Sequence, residues 1–312
     1  MIVNHSRDNG GRWIAAGALE NVTGIRSGII IAVMLMFTAR LAYAVPEYIQ
    51  SEQTAAGSVD ESVESTEHAF KLPEAAQVVS RLREVFREGS LDLELRNYYF
   101  YRKRDADPNV EAWAQGGGLT YATPWWKNHL RLGTTLYTSQ KLYAPADKDG
   151  SKLLEPGQKS FSVVGQAYLE ARLRGDLSLR VYRQTFQLPY LNGNDRRKVP
   201  NTFEAVTLYD FSGEHLVYGL GQTWRMKKRD ATNFISMTEA AGIDGPDRAL
   251  STAAARYTFS NGANIGLVNH YGRDFMNIFY TEVNARARTI GEMGVRVSAQ
   301  FTRQNAVGDQ LG

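Results

Sequence analysis

Residues 161–174 read FSVVGQAYLEARLR, and their alternation decides the fold. Val163, Gly165, Ala167, Leu169, Ala171 and Leu173 fall on one side of an extended chain; Gln166, Tyr168, Glu170, Arg172 and Arg174 fall on the other. A period of two is the signature of a strand whose side chains point alternately to opposite faces. One face here carries full charges and the other none, over more residues than the usual five or six of a soluble strand. A tilted strand needs about nine to eleven residues to cross a bilayer, so the length itself argues for a membrane.

The pattern repeats on both sides of this segment. Leu91, Leu93 and Leu95 alternate with Asp92, Glu94 and Arg96, and Leu130, Leu132, Thr134 and Leu136 with Arg131, Gly133, Thr135 and Tyr137. Phe279, Thr281, Val283, Ala285 and Ala287 oppose Tyr280, Glu282, Asn284, Arg286 and Arg288, and Met293 to Phe301 alternates in the same way with Arg296, Ser298 and Gln300. About eleven such segments fit between Leu91 and Thr302, which predicts an all-β, transmembrane antiparallel barrel. Short turns at Arg174-Gly175-Asp176, Ser212-Gly213-Glu214 and Ser260-Asn261-Gly262 alternate with long loops near 143–160, 188–201 and 230–250. Gly and Asn supply the backbone freedom that tight hairpins need. Aromatic residues at strand ends, Tyr98 to Tyr101, Trp125-Trp126 and Trp224, suit the interfacial girdles of a barrel.

In a barrel the apolar set meets lipid and the charged set lines water. Arg96, Arg131, Arg172, Arg180, Arg225, Arg256, Arg286 and Arg296 are all expected to point inward, although a strand bulge would reverse any one of them. Guanidinium groups stay charged and bind carboxylates through paired hydrogen bonds, so such a row would guide anionic solutes. Interspersed Glu94, Glu170 and Glu282 would neutralise part of it or bind an ammonium group.

The N-terminus reads as an export signal. Arg7, Arg12 and Arg26 precede the apolar stretch Ile29 to Ala39, and Ala42-Tyr43-Ala44 gives the small-x-small pattern of a cleavage site. Cleavage after Ala44 would take Lys+Arg from 36 to 32 and Asp+Glu from 33 to 31, leaving a formal charge near +1. That balance gives no argument for nucleic acid. Residues 45–89 are expected to form a polar leader with a short amphipathic helix, in which Ala76, Val79, Leu82 and Phe86 recur at helical spacing before Gly89. Residues 90–312 are the expected barrel portion. There is no Cys, hence no disulfide framework, thiolate metal site or Cys nucleophile.

Other chemistry is set aside. The five histidines, His5, His68, His129, His215 and His270, show no metal-ligand spacing. Asp210, Ser212 and His215 fall at a strand end and turn without a nucleophile elbow. Asp147-Lys148-Asp149-Gly150 lacks the frame of a calcium loop, and Gly219-Leu220-Gly221 that of a nucleotide site.

Two segments then resemble a known family. Ser90-Leu91-Asp92-Leu93-Glu94-Leu95-Arg96-Asn97-Tyr98-Tyr99-Phe100 is similar to the first strand of the OprD family of substrate-specific outer-membrane porins of Gram-negative bacteria. Glu111-Ala112-Trp113-Ala114-Gln115-Gly116 resembles its second strand, with one extra Ala. Leu188-Pro189, Asp195-Arg196 and Pro200-Asn201-Thr202-Phe203-Glu204 resemble its inward-folded loop. The resemblance implies a monomeric eighteen-stranded barrel, without cofactor or metal, passing carboxylate-bearing nutrients such as amino acids, small peptides or organic acids. It implies that Pro189, Asp195, Arg196, Arg197 and Pro200 belong to the constriction, with Asp195 and Arg196 either contacting solute or pinning the loop to the wall as a buried pair. It also implies export through the Sec pathway, lodging in outer-membrane lipid and lipopolysaccharide, and dependence on the barrel-assembly machinery. With only about eleven strands and no terminal aromatic, the chain is expected to be a C-terminally truncated member that misassembles alone. The competing readings are an outer-membrane barrel enzyme and a soluble periplasmic β-protein that binds carbohydrate or a partner.

Overall fold

A computed structural model describes residues 87–105, 108–290 and 293–308, with side chains of 286–290 and 293–295 left out. The expected export signal and most of the expected leader helix lie outside the described residues; Arg87 and Glu88 are helical. The strands are β1 (Ser90–Arg102), β2 (Val110–Ala122), β3 (Leu130–Tyr143), β4 (Phe161–Arg174), β5 (Leu177–Gln184), β6 (Gln187–Leu188) and β7 (Leu191–Asn192). They continue as β8 (Thr202–Asp210), β9 (Leu216–Lys227), β10 (Phe234–Ser236), β11 (Leu250–Thr258), β12 (Asn264–Gly272), β13 (Met276–Ile290) and β14 (Met293–Asn305). A one-turn helix, α1 (Met237–Ala240), follows β10 and is capped by the Ser236 side chain.

One antiparallel sheet holds 12 of these strands in the order β1-β2-β3-β4-β5-β8-β9-β11-β12-β13-β14, with β10 attached to β9. β6 and β7 form a small ribbon of their own between β5 and β8. The main path is therefore a meander in which sequence neighbours pair, with hairpin segments inserted at one end. Connections 123–129, 175–176, 211–215 and 259–263 lie at one end of the strands; 103–105, 108–109, 144–160, 185–201, 228–249 and 273–275 lie at the other. The long connections all share that second end, here the loop end.

Register carries the two faces across the whole sheet. Leu132, Leu169, Val181 and Val206 are successive partners, as are Leu179, Leu208, Leu220 and Ala253. This face stays uncovered: Leu95 is 79% exposed, Leu93 59%, Val297 58% and Leu220 55%. Soluble monomers seldom leave a contiguous apolar patch beyond a few hundred Å² open to water, and a band of this extent fits hydrocarbon instead. Among the described residues no helix is long and apolar enough to cross a membrane.

The sheet curls. Within the loop at 185–201, the Tyr190 hydroxyl donates to Thr302 Oγ1 on β14 at 3.0 Å, while Asp195 Oδ2 accepts from Arg96 Nη2 on β1 at 2.7 Å. Those two loop residues are separated by at most ~17 Å of extended backbone. A flat sheet would hold β1 and β14 roughly 48 Å apart at about 4.8 Å per strand step. Both edge strands can reach one short loop only if the sheet wraps around it, with the charged face concave.

Two bulges change expectations. Register steps from Leu136 opposite Val164 to Thr135 opposite Gln166, leaving Gly165 as an extra residue in β4. Val163 consequently turns to the concave side, packing with Tyr137, Phe161 and Val199 rather than joining Leu169 on the apolar face. A side chain at 165 would place its Cβ 2.6 Å from Tyr137 Cδ2, so the bulge needs glycine. A second step, from Ala205 opposite Thr223 to Glu204 opposite Arg225, makes Trp224 the extra residue of β9. Neighbours alternate along β8, so Arg225 shares the face of Glu204, opposite to that of Thr223 and Ala205. The aromatic girdle is also narrower than expected. Tyr99, Tyr101 and Trp126 are exposed, whereas Tyr98 and Phe100 pack against Ala112, Ala114, Leu153 and Leu154 beneath the loops.

Candidate solute pathway

The concave face has two charged layers, one towards the turn end and one where the inward loop meets β1. In the first, register aligns Arg131 with Glu170 and Glu170 with Arg180, placing three charged residues side by side on β3, β4 and β5. Glu170 is only 3% exposed. It accepts from Arg131 Nη2 at 2.7 Å, from Arg180 Nη2 at 3.0 Å and from the Tyr209 hydroxyl on β8. A carboxylate so deeply placed is tolerable because its oxygens are filled by charged donors.

Aromatic rings hold the guanidiniums flat. The Trp125 ring, just beyond β2, lies 3.9 Å from the Arg172 guanidinium carbon and 4.5 Å from that of Arg131. Arg180 sits 4.3 Å from the Tyr168 ring centroid and 5.6 Å from that of Tyr209. Two guanidiniums thus share one carboxylate while Arg172 rests on the Trp125 ring, and the layer keeps an excess of positive charge with Arg172 on its exposed side. Guanidiniums laid over rings present their N–H edges, which suits paired hydrogen bonding to an oxyanion.

The second layer is the loop and its anchors. Arg96 grips Asp195 through Nη1 at 2.5 Å and Nη2 at 2.7 Å, while Nε reaches Glu94 Oε1 at 2.7 Å. Arg96 Nη1 also donates to the carbonyl of Arg197 at 3.0 Å. Lys198, 1% exposed, drives its ammonium between the strands and donates to the carbonyls of Arg96 at 2.5 Å and Ala114 at 2.6 Å. Burial and the neighbouring Arg96 charge push Lys198 down from 10.5 to about 8. Across the lumen, the Pro189 carbonyl lies 2.7 Å from His270 Nε2, whose Nδ1 is 2.9 Å from Thr252 Oγ1. The Pro200 carbonyl accepts from the buried Lys227 Nζ at 3.1 Å.

The expected site residues divide accordingly. Arg131, Arg172 and Arg180 come together; Arg96 and Asp195 come together as a loop clamp. The pinning pair is Asp195 with Arg96 and not with Arg196, which is exposed, and the Asp195 side chain keeps 36% of its surface in contact with solvent, so the pair is not buried. Arg197 stacks 4.6 Å from the Phe100 ring and donates from Nε to the Ser151 carbonyl at 3.3 Å. Pro189 and Pro200 act through backbone carbonyls. Arg256 faces the concavity by register, away from the first layer, and Arg286 and Arg296 are register partners near the turn end, with the Arg286 side chain outside the described residues. Arg225 faces the other way.

Sequence reasoning missed Lys198, Lys227 and His270, because each acts on a segment distant along the chain, and the ring platform of Trp125, because its stacking on both Arg131 and Arg172 depends on how β3 and β4 pair. Ser212 Oγ donates to Asp210 Oδ1 at 2.7 Å while His215 Nδ1 lies 2.9 Å from the Thr258 carbonyl, so these three residues close turns and form no relay.

A meander of membrane-length strands, with an uncovered apolar outer face, a charged concave face and a loop folded across it, defines the transmembrane β-barrel porins. A family model described as outer membrane porin, OprD family, matches residues 84–312, and the chain belongs to that family. Among solved structures it is similar to Pseudomonas aeruginosa OccK9 (OpdG), at 24% identity and TM-score 0.59, covering 71% of this chain and 60% of that one. It is similar to a BenF-like porin from Pseudomonas fluorescens Pf-5, at 22% identity and TM-score 0.62, covering 72% and 61%. It is also similar to Pseudomonas aeruginosa OpdK, solved with vanillate, at 18% identity and TM-score 0.60, covering 73% and 60%. The chain thus spans about 60% of the length of these structures. No match was found among curated protein sequences.

Two outcomes follow from the anchors. Glu170→Gln leaves two guanidiniums and the Tyr209 hydroxyl without their shared carboxylate, and destabilises the folded state by about 2–3 kcal/mol in urea titrations of lipid-reconstituted protein. That is less than a fully buried pair costs, because both arginines retain solvent contact; an unchanged midpoint would show that the carboxylate is not a structural hub. For Lys198, the folded-state value of about 8 lies below the usual 10.5, so between those pH values the unfolded chain binds more protons. Stability therefore rises with pH across that window. The denaturation midpoint should climb between pH 8 and 10.5, and climb less in Lys198→Met.

Proposed function

We propose that the protein forms a passive, selective outer-membrane pore for small carboxylate-bearing solutes, amino acids, small peptides or organic acids among them. The observation that carries the reading is the layer of Arg131, Arg172 and Arg180 on their aromatic rings with a single carboxylate between them. A fixed surplus of guanidinium charge in a water-filled channel lowers the electrostatic barrier for anions and raises it for cations. The loop at 185–201 narrows the path, held by Arg96 and Lys198 on one wall and by His270 and Thr302 on the other.

The similarity to a structure solved with vanillate, an aromatic carboxylate, supports a carboxylate over a sugar or a cation. In this reading residues 1–44 direct Sec export and are removed, residues 45–89 form a periplasmic leader, and residues 90–312 belong to the barrel. The barrel-assembly machinery inserts the strands among outer-membrane lipid and lipopolysaccharide, and the protein works as a monomer without cofactor. Arg256 and Arg296 extend the cationic wall away from the first layer.

Planar-bilayer reversal potentials under a salt gradient test the proposal. The protein should prefer chloride over potassium, and joint replacement of Arg131, Arg172 and Arg180 by glutamine should lower that preference several-fold. A preference unchanged by the triple replacement would remove the arginine layer from the selectivity mechanism.

A further inference from the structure

The outer face of the sheet is not uniformly apolar. Between β5 and β12 a cleft of about 460 Å³ opens on it, framed by Leu179, Val206, Leu208 and Leu220, with Ser251 and Ala253 as its floor. Register puts these side chains on the lipid side. Gln222 is the partner of Val206 and of Ser251, Ser251 that of Tyr271, and Ala253 that of Leu220 and Asn269. Leu220 and Tyr271 stand out at 55% and 44% exposure on either side of the small serine and alanine, and so the wall is hollow here. The volume falls in the range of sites that hold an organic ligand.

Polarity is graded along the cleft. Its turn-end row is Leu179, Leu208, Leu220 and Ala253, whereas from β9 onward the loop-end row is Gln222, Ser251 and Tyr271, with Asn269 beside Ala253. Polar groups turned to hydrocarbon are costly unless bonded. Ser251 Oγ donates to Gln222 Oε1 at 2.7 Å, but among the described residues the Gln222 NH2 group, the Asn269 amide and the Tyr271 hydroxyl make no hydrogen bond. Further towards the loops on the same face, Arg225 is exposed, and its register neighbour Glu204 accepts from Arg183 at 3.1 Å. Two arginines and one glutamate leave this corner with one positive charge. With Leu216 and its partner Tyr257 at the turn-end boundary, nine residues of β9 rise to Arg225. At ~3.3 Å per residue and a tilt of about 40°, that is roughly 23 Å, close to the ~25 Å height of the apolar band. Arg225 therefore lies at headgroup level, and Gln222, three residues lower, lies about 8 Å deeper. Long loops mark the extracellular side of such barrels, so this is the outer leaflet.

The geometry points to a site on the lipid-facing wall for a phosphorylated glycolipid with amide-linked, hydroxylated acyl chains, the chemistry of the lipid A part of lipopolysaccharide. An acyl chain runs over Leu179, Leu208, Leu220 and Ala253. The amide and hydroxyl at the head of that chain meet Gln222, Ser251, Asn269 and Tyr271, and a phosphate meets Arg225. The three matches occur in the order and at the depths that such a lipid presents them. A glycerophospholipid offers only ester carbonyls at the depth of Gln222, with no N–H or O–H for the Asn269 carbonyl oxygen to accept from. The assignment rests on the outer-membrane placement of the barrel and not on its conduction, because occupancy is measured in protein that conducts nothing.

Native mass spectrometry of the refolded full chain, titrated in detergent with purified lipid A, dephosphorylated lipid A and phosphatidylglycerol, tests the assignment. One lipid A should be retained per chain, bound at least tenfold more tightly than phosphatidylglycerol. Removing its phosphates should weaken binding about tenfold in the unaltered protein and have no effect in Arg225→Gln. Ala253→Phe fills the cleft and should weaken both forms of lipid A about tenfold, while Leu95→Phe, on the same face at β1, should change neither. Heat-modifiable migration verifies that each variant is folded. Phosphatidylglycerol bound as tightly as lipid A would assign the cleft to ordinary phospholipid and overturn the proposal. Indifference of lipid A binding to Ala253→Phe, or a phosphate dependence that survives Arg225→Gln, would overturn it as well. Neither result touches the anion preference of the pore, which is read separately from reversal potentials.

Discussion

Hydrocarbon offers no hydrogen bonds, and that constraint governs this chain. A backbone N–H or carbonyl that crosses a bilayer must find its partner in the protein, which for strands means a neighbour along the full width of the membrane. The strands of the main path run up to 15 residues for this reason, and they pair in order because an antiparallel meander needs only short turns between them. Once the ladder is fixed, the pleat sends every second side chain to lipid and the rest inward. Within the hydrocarbon, charge can then be carried only on one face, and the sheet must curl so that this face encloses water; Arg225 and Glu204, on the other face, sit beside the loop end.

The curl is secured by side chains on the inner face. The loop at 185–201 is lashed to β1 and β2 through Arg96 and Lys198, and to β12 and β14 through His270 and Thr302. One short segment therefore fixes the separation of strands that lie ten steps apart in the sheet. The Arg96 and Lys198 anchors are charge-assisted and costly to break on one side only, whereas the His270 and Thr302 contacts join neutral groups. The same construction divides the labour of the arginines: Arg96 is spent on architecture, Arg131 and Arg180 are shared between architecture and field, and Arg172 is left facing water.

Strand existence, spacing and hairpin positions were legible in the sequence because they follow from local periodicity. The segment from Leu130 to Tyr137 kept its register, and the three long loops fell where the alternation lapsed. What was not legible came from single-residue insertions and from contacts between distant segments. Gly165 and Trp224 each add one residue to one strand, and the period of two turns that into a reversal of every side chain beyond; Val163 and Arg225 were misplaced for this reason. Lys198 looks like an ordinary loop lysine until the fold brings two strand carbonyls to its ammonium. Glu170 was visible as a charge on the right face, but its role as the shared partner of Arg131, Arg180 and Tyr209 depends on register across four strands.

The central claim is which face meets lipid, and the chain's lack of cysteine makes it directly measurable. Single cysteines at Leu132, Leu220 and Val283 on one face, and at Arg172, Thr252 and Glu282 on the other, can each carry an environment-sensitive fluorophore in reconstituted protein. The account predicts quenching of the first three by nitroxide-labelled lipid and of the second three by aqueous iodide. Quenching of the leucine-face labels by iodide, with no response to lipid nitroxide, would contradict it.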